Sequence, residues 1–221
     1  MYNISNQKIK SIAHRGFMLK DNSIQAFNRA FGMGFDMIEL DIQICKDDIV
    51  IYHDLTFNNK FVSELTYKEM KSFDCDIINF DYFIKNFSYE AIDIYIDIKG
   101  SDLVIEKIFE YITKNNINNS TFYFASFNFN HLQKLQSFKS KSQFNFKIGF
   151  ITQNSFNINI LNSIIKDIDL IVYELDYLNH LEIDFLKKNN ITVYVHTLKN
   201  EIYLKKLQNY NIDGIVSDIF F

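Results

Sequence analysis

Apolar runs rich in β-branched and aromatic residues recur along this chain at spacings that mostly exclude hairpins. They are SIAH (11–14), MIELDIQI (37–44), DIYIDIK (93–99), TFYFASF (121–127), FKIGFI (146–151), LIVYEL (170–175), ITVYVHTL (191–198) and DGIVSD (213–218). Helical patterns lie between most of them, over 23–31, 103–113, 129–138, 158–165, 180–188 and 201–207. Strands alternating with helices imply βαβ units and a parallel sheet. Near-continuous apolar strands imply burial on both faces. Eight such strands in 221 residues match a (β/α)8 TIM barrel. A doubly wound open sheet is the rival, but no glycine-rich turn follows the first strand, which weakens its dinucleotide-binding form. The expectation is an α/β chain with one barrel domain over 1–221.

One run breaks the pattern. IVIYHD (49–54) follows MIELDIQI after only Lys46, Asp47 and Asp48. That gap is too short for a crossover, so the pair should form an antiparallel hairpin. A turn centred on Asp47 sets His53 opposite Asp41. Residues 55–92 then form a small cap insertion after the hairpin. Thr66 and Glu69 read as a capping box opening one short helix, and 81–87 as a second.

Composition excludes several classes. A net charge of −4 argues against nucleic-acid binding. The two cysteines, Cys45 and Cys75, suit neither a disulfide framework nor a zinc site and read as small core residues. Residues 1–17 lack the apolar stretch of a leader, and no run is long enough to span a bilayer. A cytoplasmic protein without a stable membrane anchor is expected. Proline and tryptophan are absent, so Asn, Asp and Gly must shape the loops.

Barrel enzymes carry their chemistry at the C-terminal strand ends. There the chain offers His14 and Arg15, then Glu39 and Asp41, then His53, then Asp97 and Lys99, and later Ser126, Glu174, His196, Thr197, Ser217 and Asp218. Residues two apart on a strand share a face, so Glu39 and Asp41 point inward together. Converging carboxylates repel unless a cation neutralises them, and oxygen ligands suit a hard divalent ion. Arg15 and Lys99 are suited to an anion, and paired histidines to proton transfer near neutrality. Singly, each has a plainer meaning: an edge-strand acid pair, hydrogen-bonded core histidines, an Asp97–Lys99 ion pair. Together they describe metal-assisted cleavage of a phosphate ester.

The chain resembles the glycerophosphodiester phosphodiesterase family. AHRG (13–16), DNS (21–23) and QAF (25–27) stand where that family has His-Arg-Gly, Glu-Asn-Thr and an Ala-Phe pair. IELDIQICKDDIVIYHD (38–54) matches its Glu-x-Asp strand, Lys-Asp turn and His-Asp ending. FVSELTYKEMKSFD (61–74), IDIKG (96–100), Ser126-Phe127 and IDGIVSD (212–218) follow in family order. The resemblance implies a barrel with a divalent metal, Mg²⁺ or Ca²⁺ with Mn²⁺ also suited, on Glu39, Asp41 and Asp97. It implies His14 and His53 as the acid–base pair, and Arg15 and Lys99 as phosphate ligands. A small phosphodiester would yield a phosphomonoester and an alcohol. Three positions depart from the family: Asp97 and Asp21 replace Glu, and His196 replaces a tryptophan expected to line the alcohol side. A lysophospholipid, a nucleotide- or sugar-linked diester, and an inactive binding relative are the alternatives. The cap shows no obvious exposed apolar ramp in sequence, which argues against lipid.

Overall fold

The computed structural model describes residues 9–117, 122–142 and 144–221. Residues 1–8, part of the stretch read for a leader, and Thr121, the first residue of one expected strand, lie outside them. The chain opens with β1 (Lys10–Ala13), α1 (Ile24–Met33), β2 (Met37–Ile44) and β3 (Ile49–Ile51). The cap follows, with β4 (Thr56–Phe57), β5 (Lys60–Phe61), α2 (Tyr67–Phe73), β6 (Ile78–Asn79) and α3 (Phe80–Asn86). Strand and helix then alternate: β7 (Asp93–Ile98), α4 (Leu103–Lys114), β8 (Phe122–Ser126) and α5 (Phe129–Lys141). They continue with β9 (Lys147–Thr152), α6 (Ile158–Ile164), β10 (Leu170–Glu174) and α7 (His180–Lys188). The last are β11 (Thr192–Leu198), α8 (Ile202–Leu207) and β12 (Gly214–Ser217).

Eight parallel strands close into the expected barrel, because β1 pairs with both β2 and β12. Ile12, Met37, Tyr95, Ala125, Ile151, Val172, Tyr194 and Val216, one from each barrel strand, form an interior apolar cluster. Tyr194 fits this plug because Gly214 faces it: a Cβ at 214 would lie 2.8 Å from the ring. The outward side chains of the same strands pack under the helices in a larger core. With a side-chain period of two, the next inward positions stand directly above the plug. They are residues 14, 39, 97, 127, 153, 174, 196 and 218, so the barrel's own alternation presents most of the polar candidates as one layer.

Three expectations need correction. The β2–β3 hairpin pairs Ile42 with Ile51 and Ile44 with Ile49, one residue away from a turn centred on Asp47. A turn closed by Cys45 N–H donating to Asp48 O (2.9 Å) sets this register. Asp41 therefore faces Tyr52, whose N–H donates to Asp41 O (3.1 Å), and His53 is not its cross-strand partner. Cys75 is exposed, because it sits in the loop after α2, whereas Cys45 is buried as expected. The cap does carry exposed apolar side chains, Leu55, Phe61 and Phe73 among them. They lie outside its small core of Cys45, Val50, Val62, Leu65, Met70 and Ile77. The capping box at Thr66 and Glu69 is formed. Among the described residues no helix is long and apolar enough to cross a membrane.

Candidate active site

The His14-Arg15-Gly16 turn starts the site. Arg15 and Gly16 have φ of 53° and 90°, and a Cβ at Gly16 would fall 2.5 Å from that of Ala26. Only glycine permits both that φ and that approach to α1. The left-handed Arg15 is held because its N–H donates to Glu39 Oε2 (2.7 Å). Ser23 then caps α1 by accepting from Ala26 N–H. Asn22, also left-handed, clasps Asp41: its Nδ2 donates to Oδ2 (3.0 Å) and its Oδ1 accepts from the Asp41 N–H (3.2 Å). Nothing in composition or spacing marks Asn22 beyond its place in the DNS stretch.

Glu39, Asp41 and Asp97 are all buried, and each offers an oxygen within 4.8 Å of the others. β2 and β7 pair in parallel with Asp41 beside Asp97, which explains the convergence. Lys99 Nζ lies 2.5 Å from Asp97 Oδ2 and 3.4 Å from Asp41 Oδ1. Arg15 Nε lies 3.1 Å from Asp41 Oδ2, and its Nη1 lies 3.4 Å from Asp21. Two cations thus face three carboxylates. Burial pushes Glu39 well above the usual carboxylate range, and Asp41 adds to it. Burial likewise raises Asp97, although Lys99 opposes the shift. Burial works against the Lys99 charge, but Asp97 and Asp41 outweigh it and raise its pKa.

His14 and His53 each meet an aspartate. His14 Nδ1 lies 2.6 Å from Asp218 Oδ1, and His53 Nδ1 lies 2.7 Å from Asp54 Oδ1. A carboxylate at Nδ1 fixes the ring and leaves Nε2 for other work. Burial disfavours a charged His14, yet Asp218 and Glu39 outweigh it and raise its pKa. Gln43 Nε2 donates to the carbonyls of Tyr52 (2.9 Å) and Asp54 (2.7 Å), which holds the segment bearing His53. Asp218 stands among the strand-end candidates of the sequence, whereas no motif spacing marks Gln43 as a support.

A cavity of about 200 Å³ is lined by His14, Arg15, Glu39, Asp41, His53, Asp97, Lys99 and His196, together with Phe127 and Gln153. Glu174 does not line it, and Ser126 and Ser217 are spent on backbone carbonyls. His196 sits where the β11–β12 register shifts, before a cis peptide to Thr197. Burial, with His14 and Lys99 nearby, pushes its pKa down to about 4, so the ring is neutral near pH 7. Asp97 Oδ1 and His196 Nε2 are buried without a hydrogen bond. A cavity that leaves a carboxylate oxygen and an imidazole nitrogen unmet, at about 1–3 kcal/mol each, is suited to a polar ligand.

Solved structures share the architecture. A glycerophosphodiester phosphodiesterase from Thermotoga maritima superposes with a TM-score of 0.80 at 22% identity, covering 96% of this chain and 95% of that one. An Oleispira antarctica phosphodiesterase, solved with its product sn-glycerol-3-phosphate, gives 0.79 at 17% identity, covering 95% and 92%. A Bacillus subtilis protein provisionally named a glycerophosphodiester phosphodiesterase is 28% identical, over 94% of this chain and 93% of its own length. A glycerophosphodiester phosphodiesterase from Caldanaerobacter subterraneus is 42% identical, but over only 30% of each chain. The family model described as the glycerophosphoryl diester phosphodiesterase family matches residues 14–220. With the barrel and its acidic mouth in view, that match across nearly the whole chain makes this protein a member of the glycerophosphoryl diester phosphodiesterase family, a family of phosphoric diester hydrolases.

Proposed function

We propose that the protein hydrolyses a small glycerophosphodiester-type substrate to a phosphomonoester and an alcohol. The observation that carries this is two unmet polar atoms, Asp97 Oδ1 and His196 Nε2, in one cavity that Arg15 and Lys99 also line. The first suits a cation, the second a substrate hydroxyl, and the two cations a phosphate. Glu39, Asp41 and Asp97 would hold the divalent metal, and all-oxygen donors favour Mg²⁺, Ca²⁺ or Mn²⁺ over zinc. Bound there, the ion would supply positive charge to the phosphate oxygens. Arg15 and Lys99 would hold the phosphate from the other side. His14 and His53, each braced at Nδ1, would exchange protons with the attacking water and the leaving alcohol through Nε2. The Asp218 pairing supports His14 as the group that enters protonated. His196, neutral and aromatic beside Phe127, would line the alcohol side. The same reading places the enzyme in the cytoplasm, in keeping with its free thiols. The direct test is release of a phosphomonoester from a soluble glycerophosphodiester. Cleavage of phosphomonoesters with no cleavage of any diester would refute the assignment.

Two outcomes follow from the histidine environments. Asp218 raises the His14 pKa, so His14 stays charged to higher pH than a free imidazole. Asp218→Asn removes that support, and the alkaline limb of kcat/KM should move to lower pH. An unmoved limb would mean that His14 does not act as the acid. His196→Trp should change the preference among alcohol groups while leaving cleavage of a small activated diester within about tenfold, roughly 1.4 kcal/mol. Equal loss on all substrates would assign position 196 to the chemistry or the fold.

A further inference from the structure

The polar lining of the cavity at the barrel mouth divides into two arcs. On the first, at the ends of β1, β2 and β7 and just past β3, the charged groups already have protein partners. Arg15 and Lys99 meet Asp41 and Asp97, His14 and His53 meet Asp218 and Asp54, and Glu39 accepts from Arg15 N–H. On the second, at the ends of β9 and β11, Gln153, Thr197 and Lys199 line the same cavity. None of these three side chains makes a hydrogen bond or an ion pair among the described residues. The neighbouring His196 Nε2 is buried and equally unmet.

Lys199 reaches the cavity because β11 breaks step. Tyr194 belongs to the interior plug and His196 stands above it, so strict alternation would send Leu198 inward and Lys199 outward. The register against β12 shifts between Val195 and Leu198, and Leu198 is instead buried in the core under the helices. Such a shift re-aims the side chains that follow it, a device common beside active sites. Here it adds a third cation to the mouth.

Charge indicates what that cation can serve. Ionised Glu39, Asp41 and Asp97 are offset by Arg15 and Lys99, by a divalent ion and by the single negative charge of a bound phosphodiester, which together leave no net charge. Lys199 remains without a counter-charge. Glu201, two residues on, does not pair with it, and Asp218, which feels its charge, is held by His14. A lysine on an open surface is balanced by solvent and salt. One that lines a substrate cavity beside the unused donors of Gln153 and Thr197 is placed to receive an anion.

We infer that Lys199, with Gln153 and Thr197, holds a second anionic group, and that the favoured substrate is a glycerophosphodiester whose alcohol carries its own carboxylate or phosphate. This rests on the phosphodiesterase reading above and narrows its substrate. Water adds to phosphorus as the bond from phosphorus to the alcohol oxygen breaks. The alcohol leaves with a proton and with its charged group intact.

The test compares three diesters of glycerol 3-phosphate, formed with ethylene glycol, with the hydroxyl of glycolate and with that of 2-hydroxyethyl phosphate. The first alcohol is neutral, the second carries a carboxylate and the third a phosphate. Wild type should favour at least one charged alcohol over the neutral one by about tenfold in kcat/KM, roughly 1.4 kcal/mol, and the better of the two names the anion. Lys199→Gln should abolish that preference, Lys199→Glu should invert it, and Lys199→Arg should retain it. In wild type the preference should shrink between about 0.05 M and about 0.5 M salt, because the lysine is exposed. All three variants should melt with wild type. A wild type indifferent to the charge, or a preference that survives in Lys199→Gln, overturns the inference and leaves the phosphodiesterase reading standing. So does equal loss on all three diesters, which would make Lys199 a ligand of the scissile phosphate itself. Cleavage of none of the three instead defeats the phosphodiesterase reading.

Discussion

His14→Ala and His53→Ala are each expected to lower turnover by about 10²–10⁴-fold, the usual size of one general acid–base contribution. Both rings line the cavity at the barrel mouth, and each has Nδ1 paired with an aspartate. The fold should survive either change, because neither ring belongs to the apolar clusters. A substrate with a leaving group of low pKa, such as p-nitrophenolate, needs little protonation. It should rescue the variant that lacks the acid and leave the other impaired. On the proposal that His14 enters protonated, the rescued variant should be His14→Ala. Loss of less than tenfold at either position would reduce that histidine to a positioning role.

Glu39→Gln should remove metal affinity and at least about 10²-fold of turnover, since charge stabilisation by a metal contributes several kcal/mol to such a transition state. Metal-free Glu39→Gln should melt no lower than wild type, because a neutral amide relieves repulsion among three buried acids. Asp97→Asn should behave alike: its unmet Oδ1 points to direct ligation. If Asp97 acted through water, that change would lower turnover chiefly and spare affinity. Burial raises both Glu39 and Asp97, so near neutrality the metal-free site retains protons that a cation must displace. Affinity should therefore rise with pH, and the metal-induced gain in melting temperature should be larger at about pH 8 than at about pH 6. A gain independent of pH would place the cation elsewhere.

The strands were legible because both their faces are buried. Near-continuous apolar residues leave little room for another reading, and the period of two then set Glu39, Asp97 and His196 above the interior plug. The hairpin register was less legible. Lys46-Asp47-Asp48 fits a turn centred on either a residue or a bond, and a hydrogen bond between Cys45 and Asp48 decides it. His53 still reaches the cavity, because the chain leaves the ladder after Ile51 and Gln43 holds its carbonyls. Asp218 stands among the strand-end candidates, but its contact with His14, like those of Asn22 and Gln43, emerges only from tertiary placement. The exposed apolar residues of the cap were hidden for another reason: only its small core shows that Leu55, Phe61 and Phe73 are left in water.

The role proposed for Glu39, Asp41 and Asp97 is to hold a hard cation. It is tested most directly by turnover of a soluble glycerophosphodiester with chelator-stripped protein, before and after a single divalent ion is returned. The expected result is negligible phosphomonoester release from the stripped enzyme and recovery with Mg²⁺, Ca²⁺ or Mn²⁺, with none in Glu39→Gln at the same concentration. Full turnover by rigorously metal-free wild type would contradict it.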